Sequence, residues 1–306
     1  MPLKVVIVGA GLGGLAAAIA FTRAGHDVED ANSGTVFLED GRQVQADLII
    51  GADGVHSRTV RGVEARSQKK ISTGQNCFRF LVPTDKALLS PLSKALIDRV
   101  GLRSLNAFFS ATHRIIVYPC RSGKLLNLAL MCPSDDTITV GESSWLSSGS
   151  KDDLMKQAEG FSSELRELCS LAEDVKLWSL ASRDPPTVFY SGRLCLVGDA
   201  AHPTLPHQGQ GGAQAFEDAA ALGTLFTPDT RPEQIEQKLR MYNEIRYKRA
   251  VTVLFMSRVG DEQREKVMGD LKQYVPEADM PENMWLFAWD SYPVREAEKA
   301  LSQSRL

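Results

Sequence analysis

The sequence predicts an α/β fold in which one domain is interrupted by a second, strand-rich one. Three observations carry this. A β-branched run at residues 3–8 passes through closely spaced glycines into an alanine-rich helical pattern. Much later, a second apolar run at 193–197 passes through another glycine-rich loop into a helical pattern at 210–225. Between them the chain is dominated by short strand-like runs. Buried strands feeding helices are the mark of a parallel sheet, and two such units far apart imply one sheet assembled from both ends of the chain.

Residues 3–8 read as a strand buried on both faces, and 12–24 as a helix ending at Gly25. A second strand is expected at 26–28, but the pattern dissolves into Glu29, Asp30, Ala31 and Asn32. Residues 35–39 and 43–50 read as strands joined by a turn at Asp40-Gly41. Strand patterns follow at 77–82, 114–118 and 125–131. A polar Ser/Gly-rich stretch covers 143–151, and a helical pattern runs from 152 to 171. Helices are expected at 210–225 and 233–255, then charged helical pieces broken at Pro276, Pro281 and Pro293. The domain boundaries are placed at 1–66 with 184–306, and 67–183.

Composition narrows the function. A net charge of −3 gives no electrostatic footprint for nucleic acid. Cys77, Cys120, Cys132, Cys169 and Cys195 are odd in number and never spaced as CxxC, which argues against a disulfide framework or zinc site and for a reducing, cytoplasmic setting. Residues 5–21 lack a polar side chain, as a signal peptide does. The glycines within them divide the run into strand and helix instead, and no membrane span is expected. Lys238, Arg240, Arg246, Lys248 and Arg249 share the 233–255 helix and read as a solvated face.

Three motifs carry chemistry. Gly9-x-Gly11-x-x-Gly14 lies between strand and helix. There Gly9 allows the tight turn, Gly11 lets backbone approach a pyrophosphate, and Gly14 lets helix and strand pack closely. This predicts a dinucleotide without choosing between FAD and NAD(P). The second motif, Asp53-Gly54, follows the strand at 48–50. The third, Gly198-Asp199-Ala200-Ala201-His202-Pro203, runs on through Pro206 to Gly211 and Gly212. A carboxylate at a strand end suits polyol hydroxyls. A glycine-rich loop opening a helix offers free N–H groups to an anion.

In this order the motifs resemble the flavoprotein hydroxylases of the p-hydroxybenzoate and salicylate hydroxylase type, fungal secondary-metabolism members included. The resemblance covers nearly the whole chain. It implies a Rossmann-like FAD domain with an inserted substrate domain. Gly9, Gly11, Gly14, Asp53, Gly54, Asp199, Pro203, Gly211 and Gly212 become cofactor-binding. Further implications are NAD(P)H as reductant, O2 as co-substrate, and an aromatic or polyketide-type small molecule as substrate. Arg79 matches an arginine treated as catalytic in such enzymes, suited to gripping a phenolate or carboxylate. Tyr118 is the second catalytic candidate, able to bond a substrate hydroxyl. His202 and His207 flank the flavin loop as proton relays or structural caps, while His56 and His113 read as surface residues.

The chain also departs from the family. After Val28-Glu29 it passes directly to Asp30-Ala31-Asn32-Ser33-Gly34-Thr35, a phrase that in the family stands just before the DG motif. The stretch between, with the ribose-binding glutamate and an FAD-contacting arginine, is missing. Glu29, Asp30 and Asn32 are the stand-ins for the ribose ligand. Ala213 replaces a common asparagine, and Val60 replaces an arginine, though Arg58 and Arg61 flank it. Two functional readings follow: an NAD(P)H- and FAD-dependent monooxygenase, or a non-catalytic remnant that binds flavin weakly or not at all. A simple NAD(P) reductase leaves residues 198–212 without a purpose.

Overall fold

The computed structural model describes residues 2–23, 27–30, 36–37, 43–64, 70–101, 103–134, 149–258, 265–279 and 281–304. In chain order, β1 (Lys4–Val8), α1 (Leu12–Arg23), β2 (Asp27–Asp30), β3 (Val36–Phe37), β4 (Gln43–Val44), β5 (Leu48–Gly51) and α2 (Val60–Val63) come first. Next are β6 (Lys70–Pro83), α3 (Thr84–Leu89), α4 (Pro91–Val100), β7 (Asn106–Phe109), β8 (Arg114–Cys120), β9 (Leu125–Pro133), α5 (Lys151–Gln157), α6 (Ser163–Ser170) and β10 (Lys176–Arg183). The chain then forms β11 (Tyr190–Ser191), β12 (Leu194–Leu196), α7 (Gly211–Leu225), α8 (Ile235–Ser257), α9 (Glu265–Tyr274), α10 (Met284–Trp289) and α11 (Pro293–Gln303).

Two compact units result: Met1–Ile71 with Ser182–Leu306, and Ser72–Ala181. The first is built on a five-stranded sheet of order β11-β12-β5-β1-β2. Its β12, β5, β1 and β2 run parallel, and β11 is antiparallel. Val5, Ile7, Leu48, Ile50, Cys195 and Leu196 are buried, as continuous apolar strands between helical layers must be. α1 packs along α7, and Phe21 meets Phe226 with ring centroids 5.4 Å apart. The outward stripe of α1 stays bare: Leu12 is 62%, Leu15 56% and Ile19 54% exposed, and Phe216 of α7 is exposed to the same degree, 54%.

The second strand does form. Asp27–Asp30 pairs with β1 in parallel, Glu29 opposite Val6 and Asp30 opposite Ile7. Its lack of an apolar pattern fits its place at the sheet edge, where backbone pairing on one side suffices. The strand expected at 43–50 is two pieces, a short antiparallel partner of β3 and then β5 in the main sheet.

The second unit holds a five-stranded antiparallel sheet of order β10-β6-β9-β8-β7. One face carries the core, with Phe78, Phe80, Val82, Leu126, Leu128 and Leu130 packed against α4, α5 and α6. The helical pattern at 152–171 is broken at Gly160, after which the Ser162 hydroxyl accepts the Leu165 N–H and starts α6 afresh.

Candidate functional site

The turn from β1 into α1 depends on close backbone approach. A Cβ on Gly14 would stand 1.9 Å from the Gly9 carbonyl oxygen, and one on Gly9 2.3 Å from that of Ala52. A Cβ on Gly11 would meet nothing within 4 Å. Gly9 and Gly14 are thus demanded by packing, while Gly11 borders open space at the helix N-terminus, where free N–H groups favour an anion. Glu29 and Asp30 close β2, the strand beside this turn; Asn32 lies outside the described residues.

Asp53 is occupied within its own loop. Its carboxylate accepts from Ser57 Oγ at 2.7 Å, Arg58 N at 2.6 Å, Thr59 N at 3.0 Å and Thr59 Oγ1 at 2.6 Å. These bonds shape residues 53–60 and start α2. Gly54 turns the loop with φ +78°.

Residues 198–212 form the connection from β12 into α7. Gly198 has φ +58° and opens a short 3-10 turn. Asp199 follows, half-buried, its carboxyl raised by burial against the opposing charges of His202 and Arg183. Pro203 is buried. The loop ends where Gly211 and Gly212 begin α7. A Cβ on Gly211 would approach Thr204 Oγ1 at 2.8 Å and Asp199 Oδ1 at 3.9 Å, so these three groups converge on the helix mouth. Buried side-chain atoms without a hydrogen-bond partner gather here: His202 Nδ1, Thr204 Oγ1, Gln208 Oε1 and Gln210 Oε1. Gln208 and Gln210 also line, with Met284, Trp285 and Ala288, a cavity of about 20 Å³, room for a single water. Unpaired buried acceptors are costly, so these atoms look to a bound water or a ligand for their partners.

Behind this loop lies a charge cluster that sequence reasoning passed over. Asp218 of α7 is fully buried. Its Oδ2 accepts Gly198 N–H at 2.9 Å and pairs with His202 Nε2 at 2.7 Å; its Oδ1 accepts Arg246 Nε at 2.8 Å. Burial alone would raise this carboxyl, but His202 and Arg246 outweigh it and hold it at about 2. Arg246 also donates to Glu217 and to Gln214 O and Oε1. Arg249 pairs with Glu217 and donates to Phe287 O and Ala288 O of α10. On the other side of the loop, Arg183 Nη2 donates to Asp199 O at 2.9 Å and Ala200 O at 2.7 Å.

The α8 cations are therefore not a solvated face. Arg246 is the largest fully buried side chain, Lys238 is buried, and Arg249 is half-buried; only Arg240 and Lys248 are exposed. The legible signal was Asp218 itself, a carboxylate on the buried Gln214–Ala215–Ala219–Leu222 stripe of an alanine-rich helix. His202 is sealed at 0% exposure and bonded to Asp218, the arrangement of a structural cap; His207 is half-buried.

In the second unit, Arg79 and Tyr118 share one sheet face. Tyr118 pairs across with Asn127, and Asn127 with Leu81, two residues along β6 from Arg79; directly opposed residues point the same way. This face is opposite to the core of that unit. Arg79 Nε donates to Asn127 Oδ1 at 3.0 Å, and its guanidinium lies 5.7 Å from the Trp178 ring centroid. Trp178, Arg79, Asn127 and Tyr118 thus make a band across β10, β6, β9 and β8. Asn127 is 2% exposed and Arg79 is open to solvent. His113 is half-buried and bonded to Gln157, and His56 is exposed.

Residues 26–257 match the FAD binding domain family. The FAD-dependent monooxygenase phomE' of Diaporthe leptostromiformis is 33% identical over 281 residues, covering 90% of this chain and 71% of that protein. FAD-dependent monooxygenase cfoG of Aspergillus candidus is 34% identical over 81% of this chain and 57% of its own length. Hispidin-3-hydroxylase of Neonothopanus nambi is 33% identical over 72% and 54%. The chain thus spans little more than half the length of the last two. Among solved structures, a salicylate hydroxylase substrate complex aligns with TM-score 0.75 at 18% identity, covering 98% of both chains, a likeness of fold. No helix among the described residues is long and apolar enough to cross a membrane.

Proposed function

Because the chain belongs to the FAD binding domain family, whose relatives above are FAD-dependent monooxygenases, we propose that it is itself an NAD(P)H- and FAD-dependent monooxygenase acting on an aromatic or polyketide-type phenol. The observation that carries this is the 198–212 loop, where the unpartnered Thr204 Oγ1 and the half-buried Asp199 carboxylate stand at the first residue of α7. Such a set of groups suits FAD. Gly9, Gly11 and Gly14 would admit its pyrophosphate, Asp199 its ribityl hydroxyls, and Gly211 and Gly212 the polar edge of its ring. Pro203 would border the cofactor within that loop, and Asp53 with Gly54, on the adjoining loop that the Asp53 carboxylate organises, would complete the lining. Glu29 or Asp30 takes the ribose position.

When bound, FAD supplies the redox chemistry, accepting reducing equivalents from NAD(P)H and passing them to O2. The remaining work falls to side chains. The Arg79 guanidinium pairs with the oxygen of an ionised phenol, a charge-assisted contact that holds the ring electron-rich. Asn127 fixes the direction of the guanidinium, and Trp178 gives a flat wall. Tyr118 hydrogen-bonds a substrate hydroxyl and fixes its orientation. The free N–H groups of α7 stabilise negative charge arising beside them. The protein is expected in the cytoplasm, where NAD(P)H and reduced thiols coexist.

The test is direct. Protein purified and desalted should retain a flavin absorbance band, or regain it on adding FAD. It should then oxidise NAD(P)H with O2 uptake stimulated by phenols such as 6-methylsalicylate. Folded protein that takes up no FAD is the non-catalytic remnant, and the proposal falls.

A further inference from the structure

The carboxylate of Asp218 touches nothing a cofactor could reach, yet it governs the turn that carries Asp199. Gly198 is left-handed, and its N–H ends on Asp218 Oδ2 at 2.9 Å. Four residues on, His202 Nε2 ends on the same oxygen at 2.7 Å. Within the turn, Ala201 N–H and His202 N–H both donate to Gly198 O at 2.9 Å. A single oxygen therefore grips both ends of a loop already closed on itself. Arg183 takes the outward carbonyls of Asp199 and Ala200. On this fixed turn the Asp199 carboxylate lies beside the first turn of α7, its Oδ1 3.9 Å from where a Cβ on Gly211 would stand.

We propose that Asp218 is a positioning residue for cofactor binding, acting through the Gly198–His202 turn to aim Asp199. This deepens the reading of residues 198–212 as the FAD site and rests on it. The geometry explains why a carboxylate is needed rather than any polar side chain. Oδ2 must accept twice while Oδ1 accepts from Arg246. An asparagine offers one accepting atom, so either the turn or Arg246 loses its partner. Arg246 in turn is saturated by Asp218, Glu217 and Gln214, which lets the carboxylate stay charged in the interior.

The experiment compares FAD dissociation constants of the wild-type chain, D218N, D199N and the double variant, measured by quenching of FAD fluorescence on titration with apoprotein. Hydrogen exchange of the peptide spanning residues 197–205 is measured alongside, without FAD. Loss of one bond to a charged group should weaken FAD by about tenfold or more in D218N. D218N should add less than about twofold to the loss already present in D199N, because both act through one carboxylate. The Gly198 amide should exchange faster in D218N. The apolar pair D218L/R246M separates this role from plain stability. It removes both buried charges and should melt close to wild type, yet FAD affinity should stay low. Affinity that returns with stability in D218L/R246M overturns the positioning role. So does a D218N affinity within about twofold of wild type, or losses that multiply in the double variant. A wild-type chain that binds no FAD overturns the proposed function itself, whereas wild-type binding with unchanged D218N overturns only this inference.

Discussion

Replacing Arg246 by methionine should be among the most damaging single changes in the first unit. Arg246 has a 1% exposed side chain and four hydrogen-bonding partners, two of them carboxylates. Asp218 beside it is held at about 2, against an ordinary 3.8. Against burial, His202 first and Arg246 second supply that gap of about 2 kcal/mol of charge stabilisation, so Arg246 accounts for part of it. Adding the unpaired Gln214 acceptors and a buried carboxylate without its cation, the cost should reach about 3–5 kcal/mol. The pH dependence follows from the sign. A depressed carboxyl pKa stabilises the fold above the unfolded value, and this is lost as pH falls through the folded value. The R246M penalty should therefore be full at neutral pH and shrink as pH drops below about 4. Urea unfolding followed by tryptophan fluorescence measures it. Of the four tryptophans, Trp285 and Trp289 belong to the first unit, so a W145F/W178F background isolates its transition. A loss below about 1 kcal/mol, or one indifferent to pH, would refute the claim that Arg246 neutralises a buried carboxylate.

Other outcomes are equally specific. D199A should lower FAD affinity while leaving the melting temperature of the apoprotein nearly unchanged, read by calorimetry beside a flavin titration; unchanged flavin content would remove Asp199 from the site. R79A should raise KM for phenols carrying an acidic group more than it lowers kcat, and R79K should rescue poorly because an ammonium cannot match the fork that meets Asn127. Burial pushes the thiols of Cys77 and Cys169 up to about 12 and that of Cys195 well above its ordinary value, and Cys132 is 1% exposed. Native protein treated with a thiol-disulfide chromogen should therefore label fast at Cys120 alone, the other four reacting only on unfolding.

The sequence made β1, α1, β12 and α7 legible because burial on both faces writes long apolar runs punctuated by glycine. β2 was harder to see for a physical reason: an edge strand is held by backbone bonds to one neighbour, so Asp27-Val28-Glu29-Asp30 needs no apolar signature. β10 and α4 were missed because their apolar positions serve only one face and alternate with Lys, Ser and Arg. The glycine-rich loops were legible as turns, since Gly9 and Gly14 stand where backbone approaches closely and Gly54 and Gly198 where φ is positive. Their support was not. Arg246 looks like any helix-surface cation until α7 places Asp218 and Glu217 opposite it, and Asn127 gains meaning only when β6 and β9 bring it to Arg79.

The bare stripe of α1 gives the same helix two opposed demands. Its first turn opens at the proposed nucleotide site, while Leu12, Leu15 and Ile19 present a greasy ridge to water. Contiguous apolar surface of this kind is sticky. In a crowded cell, newly made chains would be drawn to holdase chaperones or to one another before a ligand reached the turn. Abundance of the working protein would then be set less by turnover than by the race between cofactor capture and clumping, a race that flavin supply during expression could tilt.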